Sequence, residues 1–165
     1  MKVFIRIAKN SPGEKMSDLI IRKAQESDLN EIKSLIIELI ETLESQEGID
    51  ENAVFENCKK LLTTPNAYLL VAELNGKVVG ALHLNIRRTI LHSAPSALID
   101  ELVASKELRN QGIGRKLIRA AMELCKELRH TEIEVSTEIS NLKAREFYKS
   151  MGFEEVGILL EMDLD

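Results

Sequence analysis

The run Arg109-Asn110-Gln111-Gly112-Ile113-Gly114 lies between an apolar strand candidate, Ala97–Ala104, and a helix whose apolar residues form one stripe. That stripe is Ile113, Leu117, Ala121, Leu124 and Leu128, at three- and four-residue spacing. A chain carrying this segment must end a strand, turn sharply and start a helix within a few residues. Two glycines at the turn let the backbone bend and let a ligand approach without meeting a Cβ. The first N–H groups of the helix lack internal partners and carry the positive end of its dipole, so the turn can hold a phosphate or diphosphate. Lys106, Arg109, Arg115, Lys116 and Arg119 crowd the segment against one acid, Glu107, in a chain of formal net charge -5. The segment reads as an anion site of diphosphate size.

Three phosphate loops compete for those glycines. A dinucleotide fingerprint G-x-G-x-x-G needs a third glycine where this chain has Leu117, and a Walker loop needs a Gly-Lys-Ser/Thr run that is absent. The pattern Gln/Arg-x-x-Gly-x-Gly/Ala is filled at each fixed position by Arg109, Gly112 and Gly114. A second landmark runs from Ser140 to Phe153. Ser140 suits a helix N-cap, and Gly152 suits the left-handed residue just past a helix end. Asn141, Ala144 and Tyr148 then share one helix face, in the pattern Asn-x-x-Ala-x-x-x-Tyr followed by Gly-Phe. In these two motifs, in this order and with a short strand between them, the chain resembles the GNAT acyltransferase superfamily over nearly its whole length.

The resemblance implies an α/β fold of GNAT type, a mixed central sheet with helices on both faces. It implies an N-acetyltransferase with acetyl-CoA as cosubstrate and no metal, moving acetyl to a primary amine by direct attack in a ternary complex. The acceptor stays open between a small molecule, a peptide N-terminus and a lysine. The coenzyme pyrophosphate then falls on Arg109, Asn110, Gln111, Gly112, Ile113, Gly114 and Arg115, and the pantetheine arm on the backbone of Leu102, Val103 and Ala104. Asn141 bonds the arm through its amide, with a helix-start role as the alternative. Tyr148 gives a proton to the departing thiolate, or else caps the core as an amphipathic ring. An amine acceptor is mostly ammonium at neutral pH, so a base is useful. Asp100 and Glu101 are adjacent, and on a regular strand they point to opposite faces. The family pattern favours Glu101, with Asp100 or water as alternatives, and with plain strand-end charges as the structural reading. Ala104, Lys106 and Leu108 depart from the usual pattern at the strand end. A domain that holds coenzyme A without turnover, as a sensor or assembly partner, is the alternative function.

Other elements follow from periodicity. A strand covers Leu19–Lys23, a helix opens near Ser27 or Asp28 with the stripe Leu29, Ile32, Ile36, Ile40 and Leu43, and a second helix covers Glu51–Leu62. Strands at Tyr68–Leu74 and Lys77–Ile86 flank Asn75-Gly76, a strong hairpin signal. Ile133 and Val135 mark a further strand, and a last strand is expected from Phe153 to Met162. Residues 1–15 read as an N-terminal extension, an edge strand or a disordered leader, before a single domain over 16–165. Cys58 and Cys125 read as buried free thiols of a reducing cytoplasm. Net acidity argues against nucleic acid, and no run is apolar enough to span a membrane; a homodimer stays open. Between Lys33 and Lys59 there is no cation, while Glu38, Glu41, Glu44, Glu47, Asp50, Glu51 and Glu56 form either an acceptor-attracting wall or a solvated face. Acetyl-CoA should raise the melting temperature with concentration while equal NAD or ATP does much less. A thermal-shift titration checks this, and an equal shift with NAD would sink the acyl-CoA reading.

Overall fold

The computed structural model describes residues 18–42, 50–90, 92–162 and 164. Residues 1–15, and Leu43, Glu44 and Glu47 of the expected helix stripe and acidic wall, lie outside them. Strand β1 (Leu19–Lys23) leads through a 3-10 turn into α1 (Leu29–Ile40), and α2 (Glu51–Leu61) follows. Strands β2 (Ala67–Leu74), β3 (Lys77–Arg87) and β4 (Ser96–Ala104) come next, then α3 (Ile113–Glu127), β5 (Glu132–Val135) and α4 (Leu142–Ser150). The strands form one sheet in the order β1-β2-β3-β4-β5. Every pairing is antiparallel except β4 with β5. The β2–β3 hairpin turns on Asn75 and Gly76, both at positive φ (52° and 78°), as the sequence led us to expect.

Two cores sandwich the sheet. On one face Leu70, Leu82, Leu84 and Ile99 pack against Ile113, Leu117, Ile118 and Leu124 of α3. On the other, Leu69, Val71, Ala81 and Val103 pack against Leu29, Ile32, Leu35 of α1 and Cys58 of α2. Strand side chains alternate between these faces because both are covered. Each fully buried leucine or isoleucine contributes about 1.5–3 kcal/mol. Cys58 and Cys125 are free and buried. The α1 stripe also includes Leu35, buried where the periodicity had marked its neighbour Ile36, which is only partly covered.

Strand β4 carries a bulge. His83 pairs with Glu101 and Leu84 with Ile99, so Asp100 is an extra residue in the ladder. Ile99 and Leu102 both reach the α3-side core, although regular alternation over three residues would separate them. The two residues between them, Asp100 and Glu101, are consequently presented to the same imidazole, that of His83. The expectation that neighbouring acids must diverge fails here, because an inserted residue resets the alternation.

The expected C-terminal strand is not formed: Phe153–Met162 is irregular. Gly152, at φ +96°, donates to Lys149 O and Phe153 donates to Tyr148 O, closing α4 in a Schellman turn. Arg145 and Lys149 then grip Glu155 at 2.6 and 3.2 Å, holding its carboxyl down at about 2. Beyond this anchor Val156, Ile158, Leu160 and Met162 alternate as a strand would, yet all are exposed. Alternation alone does not make a strand; the backbone groups need a ladder partner. The N-cap of α4 is Asn141, one residue later than Ser140, the residue favoured by the sequence.

One ionic node ties β1, β2 and the entry to α1. Arg22 donates from Nη1 and Nη2 to Asp28 at 2.6 and 2.9 Å, and from Nε to Glu73 at 2.6 Å. The Gln25 N–H adds a third bond to Asp28, which is 5% exposed. The Arg22 hydrogen bonds hold the Asp28 carboxyl below its ordinary range despite burial. That stability is present above the unfolded carboxyl value, about 3.9, and is lost as pH falls through the lower folded value. Asp28→Asn should cost about 2–3 kcal/mol at pH 7. In urea melts its deficit against the native chain should shrink steadily below about pH 4, where protonation removes the same bonds.

Candidate acyl-coenzyme site

The turn from β4 into α3 is left-handed at two places, Asn110 (φ 64°) and Gly112 (φ 85°). Gly112 is the N-cap of α3, and a Cβ built on it would meet nothing within 4 Å; its requirement is the backbone angle. Gly114 differs. A Cβ there would stand 3.4 Å from Phe147 Cζ and 3.8 Å from Leu102 Cδ2, so this glycine seats α4 and β4 against the helix start. The first internal bond of the helix end runs from Lys116 N–H to Gly112 O. The N–H groups of Ile113, Gly114 and Arg115 therefore point out of the helix end, where an anion can take them.

Beside this turn opens a cleft of about 440 Å³. Its floor is Leu102, Val103 and Ala104 of β4; Arg109, Leu39 with Thr42, and Ser140 with Asn141 and Lys143 form its sides. The cleft exists because β5 is short. It pairs with β4 only from Ser96 to Ile99, so on this side the ladder stops before Leu102. The main chain of Leu102–Ala104 is thus left with one edge toward the cleft. An extended arm carrying amides can bond such an edge as an added strand would. Left-handed turn, outward N–H groups and an open strand edge fit a diphosphate joined to an amide-bearing arm.

Side-chain roles are more divided than the sequence suggested. Arg109 lines the cleft, its Nε 3.5 Å from Ala104 O. Arg115 is turned onto α4, reaching Ser150 Oγ at 3.0 Å and lying over the Phe147 ring at 6.0 Å. Asn141 lines the cleft, but its Oδ1 caps α4 by accepting from Ala144 N–H, which leaves Nδ2 as its donor toward a ligand. Tyr148 packs between Phe147 and Phe153 and is not among the lining residues. Burial pushes its phenol above the ordinary value, so it stays protonated at neutral pH.

The acidic run is largely tied down where it is described. Glu38 accepts from Lys106 N–H at 2.9 Å, Glu41 pairs with Lys106 Nζ at 2.7 Å, Glu51 pairs with Lys33, and Asp50 caps α2. Glu38 and Glu41 fasten the end of α1 to the loop before α3.

His83 is the residue that the sequence reading missed. Its Nδ1 lies 2.8 Å from Glu101 Oε2 and 3.5 Å from Asp100 Oδ2. Burial pushes the Asp100 carboxyl upward, against the pull of His83; Glu101 raises it further and Arg87 lowers it. Cys58 is also pushed up, by burial and then by Glu101. A lone histidine in an apolar strand was the available signal; its partners became visible only through the ladder register. Among the described residues no His, Cys, Asp or Glu cluster could hold a metal ion, and no helix is long and apolar enough to cross a membrane.

The model of the acetyltransferase (GNAT) family matches residues 29–153. The aminoalkylphosphonate N-acetyltransferase of Salmonella typhimurium is 29% identical over 135 residues, 82% of this chain and 84% of that protein. The crystal structure of an aminoglycoside acetyltransferase from an uncultured soil metagenomic sample is 29% identical, with a TM-score of 0.73 over 90% of this chain and 97% of that one. An aminoglycoside N-acetyltransferase solved with coenzyme A superposes at a TM-score of 0.78 over 88% of this chain and 94% of that one; at 18% identity it speaks for the fold.

Asparagine and aspartate both tolerate a left-handed backbone and have nearly the same shape. Gly112→Asn should therefore keep most acetyl-CoA affinity, while Gly112→Asp should lose about tenfold more, through its charge beside the diphosphate. The gap should narrow as salt rises. Calorimetric titrations at two ionic strengths check this; equal affinities would place the diphosphate elsewhere.

Proposed function

The chain belongs to the acetyltransferase (GNAT) family, and from that premise we propose that it transfers acetyl from acetyl-CoA to a primary amine by direct attack within a ternary complex. The observation that carries this reading is the open edge of β4 at Leu102–Ala104 beside the outward N–H groups of α3. Acetyl-CoA supplies an activated acyl carbon and a thiol leaving group. The chain supplies position. A thioester held along Leu102–Ala104 meets the amine as a near-attack pair, which removes several kcal/mol of a bimolecular barrier. A main-chain N–H on that edge can face the thioester oxygen, where one oriented donor contributes about 3 kcal/mol.

In this reading Glu101 takes a proton from the attacking nitrogen, the new N–C bond forms as the C–S bond breaks, and Tyr148 Oη gives its proton to the sulfur. Glu101 suits the first role because it is half-exposed, one residue ahead of the cleft floor, and held by His83. Tyr148 suits the second through its neutral phenol and its place on α4, two turns along the same face from the N-cap Asn141. Arg109 and the N–H groups of residues 113–115 would hold the pyrophosphate, with Asn110, Gln111 and Arg115 shaping the turn.

The likeness to enzymes of aminoalkylphosphonates and aminoglycosides supports small amines as the first acceptors to try. Thiol release from acetyl-CoA should be measured with an aminoalkylphosphonate, an aminoglycoside, a polyamine and a peptide with a free N-terminus. At least one should accelerate release well above hydrolysis. Coenzyme binding with no release from any amine would instead favour a sensor. With the active acceptor, Tyr148→Phe should lower kcat about 10- to 100-fold and leave acetyl-CoA affinity nearly unchanged; full turnover would remove Tyr148 as the acid.

A further inference from the structure

His83 stands on β3 opposite Glu101, 9% exposed, in the layer between the sheet and α1–α2. Packing alone does not account for it. A histidine kept for structure usually has both ring nitrogens satisfied. Here Nε2 is buried without a hydrogen-bond partner among the described residues, while Nδ1 faces two carboxylates. The bulge is what brings both acids to that nitrogen. Two carboxylates on one side of a strand oppose each other's ionisation, and a shared cationic or donating partner relieves this.

We propose that His83 is a positioning residue for acyl transfer: it donates Nδ1–H to Glu101 and holds that carboxylate, one residue before the cleft floor, in the orientation a base needs. The inference rests on Glu101 being the base. The charged and titratable groups that bear on the cluster are Asp100 and Glu101 from β4, Arg87 from β3 and Cys58 from α2. Arg87 also pairs with Glu134 of β5, so its charge is shared. Among the described residues, His83 is the cation-forming group that touches both acids directly.

Two measurements test this, and the first needs no acceptor. The chain has three histidines, so nitrogen-15 histidine labelling resolves each ring. In the neutral ring of His83 the proton should sit on Nδ1, held there by the Glu101 carboxylate, and Glu101→Ala should move it toward Nε2. The same tautomer in both chains would overturn the proposal, whatever any His83 variant does. The second measurement is the rate with the amine found active. His83→Leu should lower kcat about 10- to 100-fold, with the KM for acetyl-CoA unchanged. His83→Asn, which keeps a neutral donor near the Nδ1 position, should recover much of that rate. A folded His83→Leu enzyme with native kcat, or a His83→Asn enzyme no faster than His83→Leu, would show His83 to be packing only. If Glu101→Gln itself keeps the native rate, the base assignment falls, and that outcome is read separately from the tautomer.

Discussion

Strand β4 hydrogen-bonds to β3 from end to end but to β5 only from Ser96 to Ile99, because β5 has just four residues before the chain leaves toward α4. Backbone N–H and C=O groups must find partners, so the second half of β4 keeps one edge in need of a ligand or water. The cleft, its floor and its neighbourhood with the α3 N-terminus all follow from that shortfall. A longer β5 would complete the ladder and close the site.

Around this edge the fold spends its charges on holding parts together. Lys106 links the loop before α3 to Glu38 and Glu41 of α1, and Arg115 links α3 to the end of α4. These ties position Arg109 and the outward N–H groups at the mouth of the cleft. Exposed pairs of this kind are each weak. Their contribution is to register, the relative placement of α1, α3 and α4 around the cleft.

On the sheet face toward α1 and α2 the same strand turns to proton chemistry. The single inserted residue Asp100 brings two acids to one histidine within a layer that is otherwise apolar. Low local polarity strengthens every interaction in the cluster and raises the Asp100 carboxyl. Opposite them, Tyr148 lies in the α3-side core among aromatic rings. Glu101 and Tyr148 therefore lie on different sides of the sheet.

The amino-acid sequence was enough for whatever depends on local order. Periodicity placed α1 to α4 and β1 to β5, because amphipathic spacing and the Asn-Gly turn are written in neighbouring residues. The glycine turn and the Asn-to-Tyr helix face were readable for the same reason. Tertiary structure decided the rest. The bulge at Asp100 is a property of the β3–β4 register, so no count along one strand could reveal that Asp100 and Glu101 share His83. The capping by Asn141, the turn of Arg115 toward α4 and the pairing of Glu38 with Lys106 each depend on groups far away in sequence or on competition between neighbouring caps. The segment after Gly152 has the alternation of a strand and no ladder partner, which alternation cannot supply. Sequence fixes what a segment can bury, and only the assembled sheet determines which backbone edges and side chains are left for chemistry.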